Sequence, residues 1–218
     1  ETTAPGMKDV KLLKSAILYG ANASGKTNVL HALKFMIDTV RESFQAGSNA
    51  ELGAKPFKLD ERWQGRPSRL EIKFILGEIP YEFGFSVSGN RVHEEWLNAY
   101  RSQRTRNPLL YRRVFEGGKY SYEYGPAFKE DKVIEEKTRD NALYLSTAAA
   151  LNQSESSLVF HFLSECRFLI DPNHFEIALF LSLLHPEILE PVTQELVAAD
   201  LGIKSFHAKR KELFSKFI

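Results

Sequence analysis

The stretch Gly20-Ala21-Asn22-Ala23-Ser24-Gly25-Lys26-Thr27 constrains this chain more than any other of its length. It fits G-x-x-x-x-G-K-[ST] at every position. A short apolar run, "SAILY" (Ser15 to Tyr19), precedes it and reads as a buried strand. Behind it, Val29, Leu33, Met36, Ile37, Val40 and Phe44 recur at helical spacing, and "AGSN" (Ala46 to Asn49) stops the helix. Glycines let successive backbone N–H groups turn inward, and the helix start adds its own N–H groups and dipole. Such a cradle suits phosphate oxygens. Its candidate binding residues are Gly20, Asn22, Ala23, Ser24, Gly25, Lys26, Thr27 and Asn28. Lys26 is the candidate catalytic residue, neutralising the β- and γ-phosphates, and the Thr27 hydroxyl is the candidate Mg²⁺ ligand.

The texture then changes. In "RLEIKFIL", Leu70, Ile72, Phe74 and Leu76 alternate with Glu71, Lys73 and Ile75. In "YEFGFSVS", Tyr81, Phe83, Phe85 and Val87 do the same. Period two predicts strands with one buried face. "RVHEEWLNAY", "LLYRRVFE" and "KYSYEY" continue the series, and "EGGK" is a hairpin signal. Residues from about 69 to 124 therefore read as an antiparallel meander. The aromatic residues Tyr81, Phe83, Phe85, Trp96 and Tyr100 are expected to fill one sheet face. Helical patterns follow Pro126: "FKEDKVIEEKTRD", "LYLSTAAAL", "SLVFHFLSECRFLI", "FEIALFLSLL" and "EILEPVTQELVAADLG". The expected organisation is a P-loop lobe with its meander (1–125), a helical segment (126–202) and a return strand (203–218).

The formal charge is +1, so no global field draws in nucleic acid or an anionic membrane. Cys166 is the only cysteine, which fits a reducing compartment and a cytoplasmic protein. It sits among apolar residues and reads as a small core side chain. The longest apolar region, "FEIALFLSLLHPEIL", is too interrupted to span a bilayer, so no membrane partner is expected. The chain starts at Glu1 rather than Met and is read as part of a longer protein. None of His31, His93, His161, His174, His185 and His207 has zinc-site spacing.

"GANASGKT", with Asn22 third in the loop, is similar to the loop of ABC-class ATPases, the SMC, RecF, RecN and OLD group. "LLKSAILYGANASGKTNVLHALKFM" closely resembles the loop region of OLD-like (overcoming lysogenization defect) ATPases of prokaryotic phage-defence operons. "PFKLD", "SRLEIKFIL", "YEFGFSVSGNRVHEEWL", "NALYLSTAA" and "AADLGI" look like further landmarks of that family, in order. The resemblance implies an α/β P-loop NTPase fold, the first lobe of an ABC-class head with an antiparallel β-subdomain and a helical segment. It implies ATP and Mg²⁺ as cofactors, and ATP hydrolysis in the intact protein. It also implies a head-to-head homodimer or higher oligomer gating an effector nuclease or Toprim-type partner in antiviral defence.

Several parts of that pattern are missing. The signature motif, the Walker B acidic pair and the switch His do not occur in the chain, and "LFLSLLHPEI" lacks the Asp-Glu pair. Phosphoryl transfer needs those parts, so the chain by itself is expected to bind nucleotide weakly and hydrolyse it poorly. Gln45 and Gln64 are candidates by position only for the glutamine that contacts Mg²⁺. Arg101, Arg104, Arg106, Arg112 and Arg113 form a cluster that would suit nucleic acid, or simply a solvated loop. Two other readings stand beside the first: an SMC- or RecF-type DNA-repair ATPase, and a non-catalytic interaction module.

Overall fold

The computed structural model describes residues 2–3, 11–12, 16–22, 24–54, 65–101 and 107–168. The chain divides into two compact units, Glu1–Arg167 and Phe168–Ile218, and every described strand and helix belongs to the first. Ala23, Gln64, Arg104, Arg106, the "PFKLD" landmark, the helical patterns beyond Phe168 and the return strand at 203–218 lie outside the described residues.

Two short strands, β1 (Thr2–Thr3) and β2 (Lys11–Leu12), pair antiparallel near the start. Helix α1 (Lys26–Glu42) follows the glycine loop. The meander then supplies β3 (Ser68–Leu76), β4 (Ile79–Ser88), β5 (Arg91–Ala99), β6 (Leu109–Glu116) and β7 (Lys119–Tyr124). Each strand pairs antiparallel with the next, in the order β3-β4-β5-β6-β7. Tight glycine turns set the register. Gly117 and Gly118 both have positive φ between Glu116 and Lys119, as a two-residue hairpin turn of this twist requires. Helices α2 (Lys132–Lys137), α3 (Tyr144–Ala150) and α4 (Ser154–Ser164) complete the unit.

Period-two patterning decides which sheet face the helices cover. Phe83, Phe85 and Val87 of β4, Leu97 of β5 and Tyr111 of β6 are fully buried. Phe35 of α1 meets Phe85 with ring centroids 6.4 Å apart, and Phe162 of α4 stacks on Phe74 at 4.9 Å. Met36, Ile37 and Val40 supply the buried stripe of α1, while Leu33 and Phe44 are half-buried. Phe44 lies past the helix, which ends at Glu42, earlier than "AGSN" suggested. Cys166 is half-buried beyond the end of α4, not a core residue of that helix.

Not all the meander aromatics share a face. Trp96 lies on the side opposite the helices, flat across Gly84 of the neighbouring strand. The Arg69 guanidinium covers the indole at 3.9 Å, and Trp96 Nε1 donates to Glu82 at 3.2 Å. Tyr100 joins the same group, its hydroxyl donating to Glu82 at 3.3 Å. Burial alone would raise the Glu82 carboxyl, but Lys73 at 3.1 Å and the Asn98 and Trp96 donors hold it below the usual carboxylate range. A Cβ on Gly84 would stand 2.1 Å from the indole. Gly84→Ala is therefore expected to destabilise the sheet by about 1–3 kcal/mol, the usual range for overpacking, readable in a denaturant melt.

Candidate functional site

The glycine loop leads into the start of α1, and Gly20, Ala21, Asn22 and Ser24 are exposed. Gly25 is the N-cap residue and adopts φ +90°, a conformation that glycine takes without strain. Ser24 N donates to Ala21 O at 3.2 Å, which closes the turn. A Cβ at Gly20 would stand 2.7 Å from Ser24 Oγ, so the first glycine leaves room for the fold of the loop. The Lys26 ammonium bends back over the loop and donates to Gly20 O at 2.6 Å and Ala21 O at 2.7 Å. It is thereby held over the loop it would serve.

The helix start is open to an anion. The first helical backbone bond runs from Val29 N to Gly25 O. The N-cap has no side-chain bond, and no acidic residue stands in the first turn. The N–H groups of an uncapped first turn, with the positive end of the dipole, favour negative charge. Asn22 occupies the turn, and Gly20, Asn22, Ser24, Thr27 and Asn28 are exposed. These residues fit a phosphate group by the chemistry of their donors. Ala23 lies outside the described residues.

The strand expected from Ser15 to Tyr19 is not seen over its described residues, 16–19, and Ser15 lies outside the described residues. Residues 16–20 are irregular, with Ile17 73% and Tyr19 87% exposed. A strand exists only where neighbouring backbone takes up its N–H and C=O groups. Among the described residues nothing pairs with this run. Val29 and Leu30 on the first turns of α1 are exposed beside it. Val29 therefore leaves the buried stripe to which its spacing assigned it.

The far end of α1 is fixed firmly. Arg139 Nη2 donates to Phe44 O at 2.6 Å, Ala46 O at 2.8 Å and Ser43 O at 3.3 Å. Asn141 Nδ2 reaches Gly47 O at 2.7 Å and Ala50 O at 3.0 Å. Ser146 Oγ donates to Val40 O at 2.6 Å. Arg41 donates to Ser164 O at the end of α4. One segment, Arg139 to Ser146, thus takes up Val40 O in the last turn of α1 and the carbonyls of the turn behind it. Gln45 is exposed in this turn, beyond the C-terminus of α1. At 1.5 Å rise per residue it stands about 25 Å from the loop, too far to meet a metal there.

A second buried cluster was not legible as a site. Glu95 and Arg113 face each other across β5 and β6 and are both fully buried. Glu95 accepts from Tyr144 N at 2.6 Å, Leu145 N at 2.8 Å and the Tyr111 hydroxyl at 2.8 Å. It therefore caps the start of α3, whose own N-cap residue, Leu143, has no polar side chain. Burial pushes the Glu95 carboxyl up, against the pull of Arg113 and these donors. Arg113 donates to Ala142 O at 2.8 Å and Arg139 O at 3.0 Å, and lies 3.7 Å from the Tyr120 ring centre. The signal was present for Arg113, which period two places in phase with Leu109, Tyr111 and Phe115; Glu95 was hidden, because the same reading put its neighbour Trp96 on the buried face.

The described members of the arginine cluster, Arg101, Arg112 and Arg113, are committed within the protein. Arg113 is core, Arg112 pairs with Glu94 at 2.7 Å, and Arg101 pairs with Glu155 at 2.8 Å. Among the described residues, no group of His, Cys, Asp and Glu could hold a metal ion. His31 is exposed on α1.

Residues 15–132 match the sequence model of an AAA domain family, AbiEii-toxin-like, of the Type IV TA system. The match covers more than half of the chain. This chain belongs to that AAA-domain family. The matched span holds the loop, α1 and all five meander strands of the AAA domain, and stops at the first residue of α2. It supports a P-loop ATPase-type domain that binds nucleotide, and ATPase activity is what the family suggests in general. No curated protein and no solved structure matches the chain. No helix among the described residues is long and apolar enough to cross a membrane.

Proposed function

We propose that the Gly20–Thr27 loop of this AAA domain holds Mg·ATP. On this reading the chain is the nucleotide-binding part of an OLD-like, ABC-class ATPase that gates an effector in antiphage defence. The observation that carries the nucleotide reading is the loop itself: Lys26 folded over Gly20 and Ala21 at an uncapped helix start. The N–H groups of Gly25 to Asn28 would take phosphate oxygens, Lys26 would neutralise their charge, and Thr27 would offer its hydroxyl to Mg²⁺. When bound, the metal polarises phosphate oxygens and offsets charge developing on them.

The OLD-like assignment rests on the resemblance of the loop and its flanking landmarks. A head-to-head dimer and an effector nuclease or Toprim-type partner rest on the same resemblance, and a cytoplasmic location rests on the single cysteine, Cys166. The rival reading, a DNA-maintenance ATPase using Arg101 to Arg113, draws less support, because Arg101, Arg112 and Arg113 already have protein partners. Calorimetric titration of ATP with and without Mg²⁺ tests the site. The parent chain should bind tighter with Mg²⁺, and Thr27→Ala should lose that increment while keeping metal-free binding. An increment that survives in Thr27→Ala removes Thr27 from the metal site.

A further inference from the structure

Strand β3 forms one outer edge of the five-stranded sheet and spans Ser68–Leu76. Its backbone phase can be read from its neighbour. Ile75 stands opposite Pro80, which has no N–H to give, and Pro80 O accepts from Tyr100 N on the other side. Ile75↔Pro80 is therefore a pair without mutual hydrogen bonds, and such pairs alternate along an antiparallel ladder. Ile75, Lys73, Glu71 and Arg69 consequently turn their N–H and C=O groups outward. Nothing among the described residues pairs with them. The apolar row on the helix side, Leu70, Ile72, Phe74 and Leu76, is only half-buried, whereas Phe83, Phe85 and Leu97 on the next strands are fully buried.

We propose that this edge pairs with the same edge of a second copy of the chain, antiparallel and centred on Ile72. A two-fold axis normal to the sheet keeps the helices of both copies on one side. This register overlaps β3 end to end, with Ser68 of one copy opposite Leu76 of the other. Glu71 then faces Lys73, and symmetry makes that pair twice. Arg69 lies along Ile75, Leu70 meets Phe74, and Ile72 meets its own counterpart. The competing registers are worse. Centring on Glu71 sets Glu71 against itself and Arg69 against Lys73. Centring on Lys73 sets two lysines together. Centring on Leu70 or Phe74 leaves much of the strand unpaired, and an odd shift reverses the faces. The edge belongs to the meander and not to the loop, so the pairing needs no nucleotide.

Sedimentation of the nucleotide-free chain over a wide concentration range should show a monomer–dimer equilibrium. Glu71→Lys, an exposed substitution that keeps the fold, should weaken the dimer about tenfold or more, because like charges then oppose each other twice. In a Cys166→Ser background, Ile72→Cys should oxidise to a linked dimer, since the central pair brings Cα atoms to about 4.5 Å. Leu70→Cys, opposite Phe74, should not. A chain that stays monomeric at every concentration overturns the proposal. So does dimerisation indifferent to Glu71→Lys, or linkage through Leu70→Cys as ready as through Ile72→Cys.

Discussion

Glu95→Ala is expected to lower the stability of the folded chain by about 3–5 kcal/mol, the range for leaving a buried charge without the opposite charge that acts on it. Domains of this kind are held by about 5–15 kcal/mol in all, so the loss is a large fraction of the total. The reason is local. Without the carboxylate, Tyr144 N, Leu145 N and the Tyr111 hydroxyl lose their acceptor. Arg113 remains buried with its charge uncompensated and its Nε already without a partner. Helix α3 also loses the group that caps it. Arg113→Met should be nearly as damaging. The pair Glu95→Leu with Arg113→Met should cost less than the sum of the single losses, because neither charge is then stranded. Urea melts of the four proteins measure this. Additive losses would show that the two residues act independently.

Lys26→Ala should have the opposite profile. Among the described residues the Lys26 side chain bonds to carbonyls of an exposed loop, so removing it should move the melting temperature little. Nucleotide affinity should fall about 10- to 100-fold, because a charged hydrogen bond contributes roughly 1.5–3 kcal/mol. Lys26→Arg should not restore it, since the planar guanidinium does not fit where a compact ammonium sits. Binding that is unchanged in Lys26→Ala would place the nucleotide elsewhere or make the chain an interaction module.

The meander was legible because alternation is a local signal, and a one-residue shift would reverse every face. "EGGK" became the β6–β7 turn, and the loop and α1 were legible from glycine spacing and helical periodicity. Trp96 was misassigned because an amphipathic ring can lie flat on either face, and the glycine that admits it stands on the neighbouring strand. "SAILY" failed as a strand because an apolar run states a need for partners without supplying them. Arg139 and Asn141 act on carbonyls more than ninety residues away in sequence. No spacing rule reaches that far. The buried Arg113 could have been flagged, since it is a charge in phase with Leu109, Tyr111 and Phe115; Glu95 could not, since placing Trp96 on the core face turned it outward and the bulge between β4 and β5 is not visible in alternation.

The most direct test of nucleotide binding at the glycine loop is titration of the ¹⁵N-labelled chain with Mg·ATP, following its amide resonances. Gly25, Lys26, Thr27 and Asn28 should shift most, and the five meander strands hardly at all. Largest shifts in the meander, or none anywhere at millimolar nucleotide, would contradict a phosphate site at this loop.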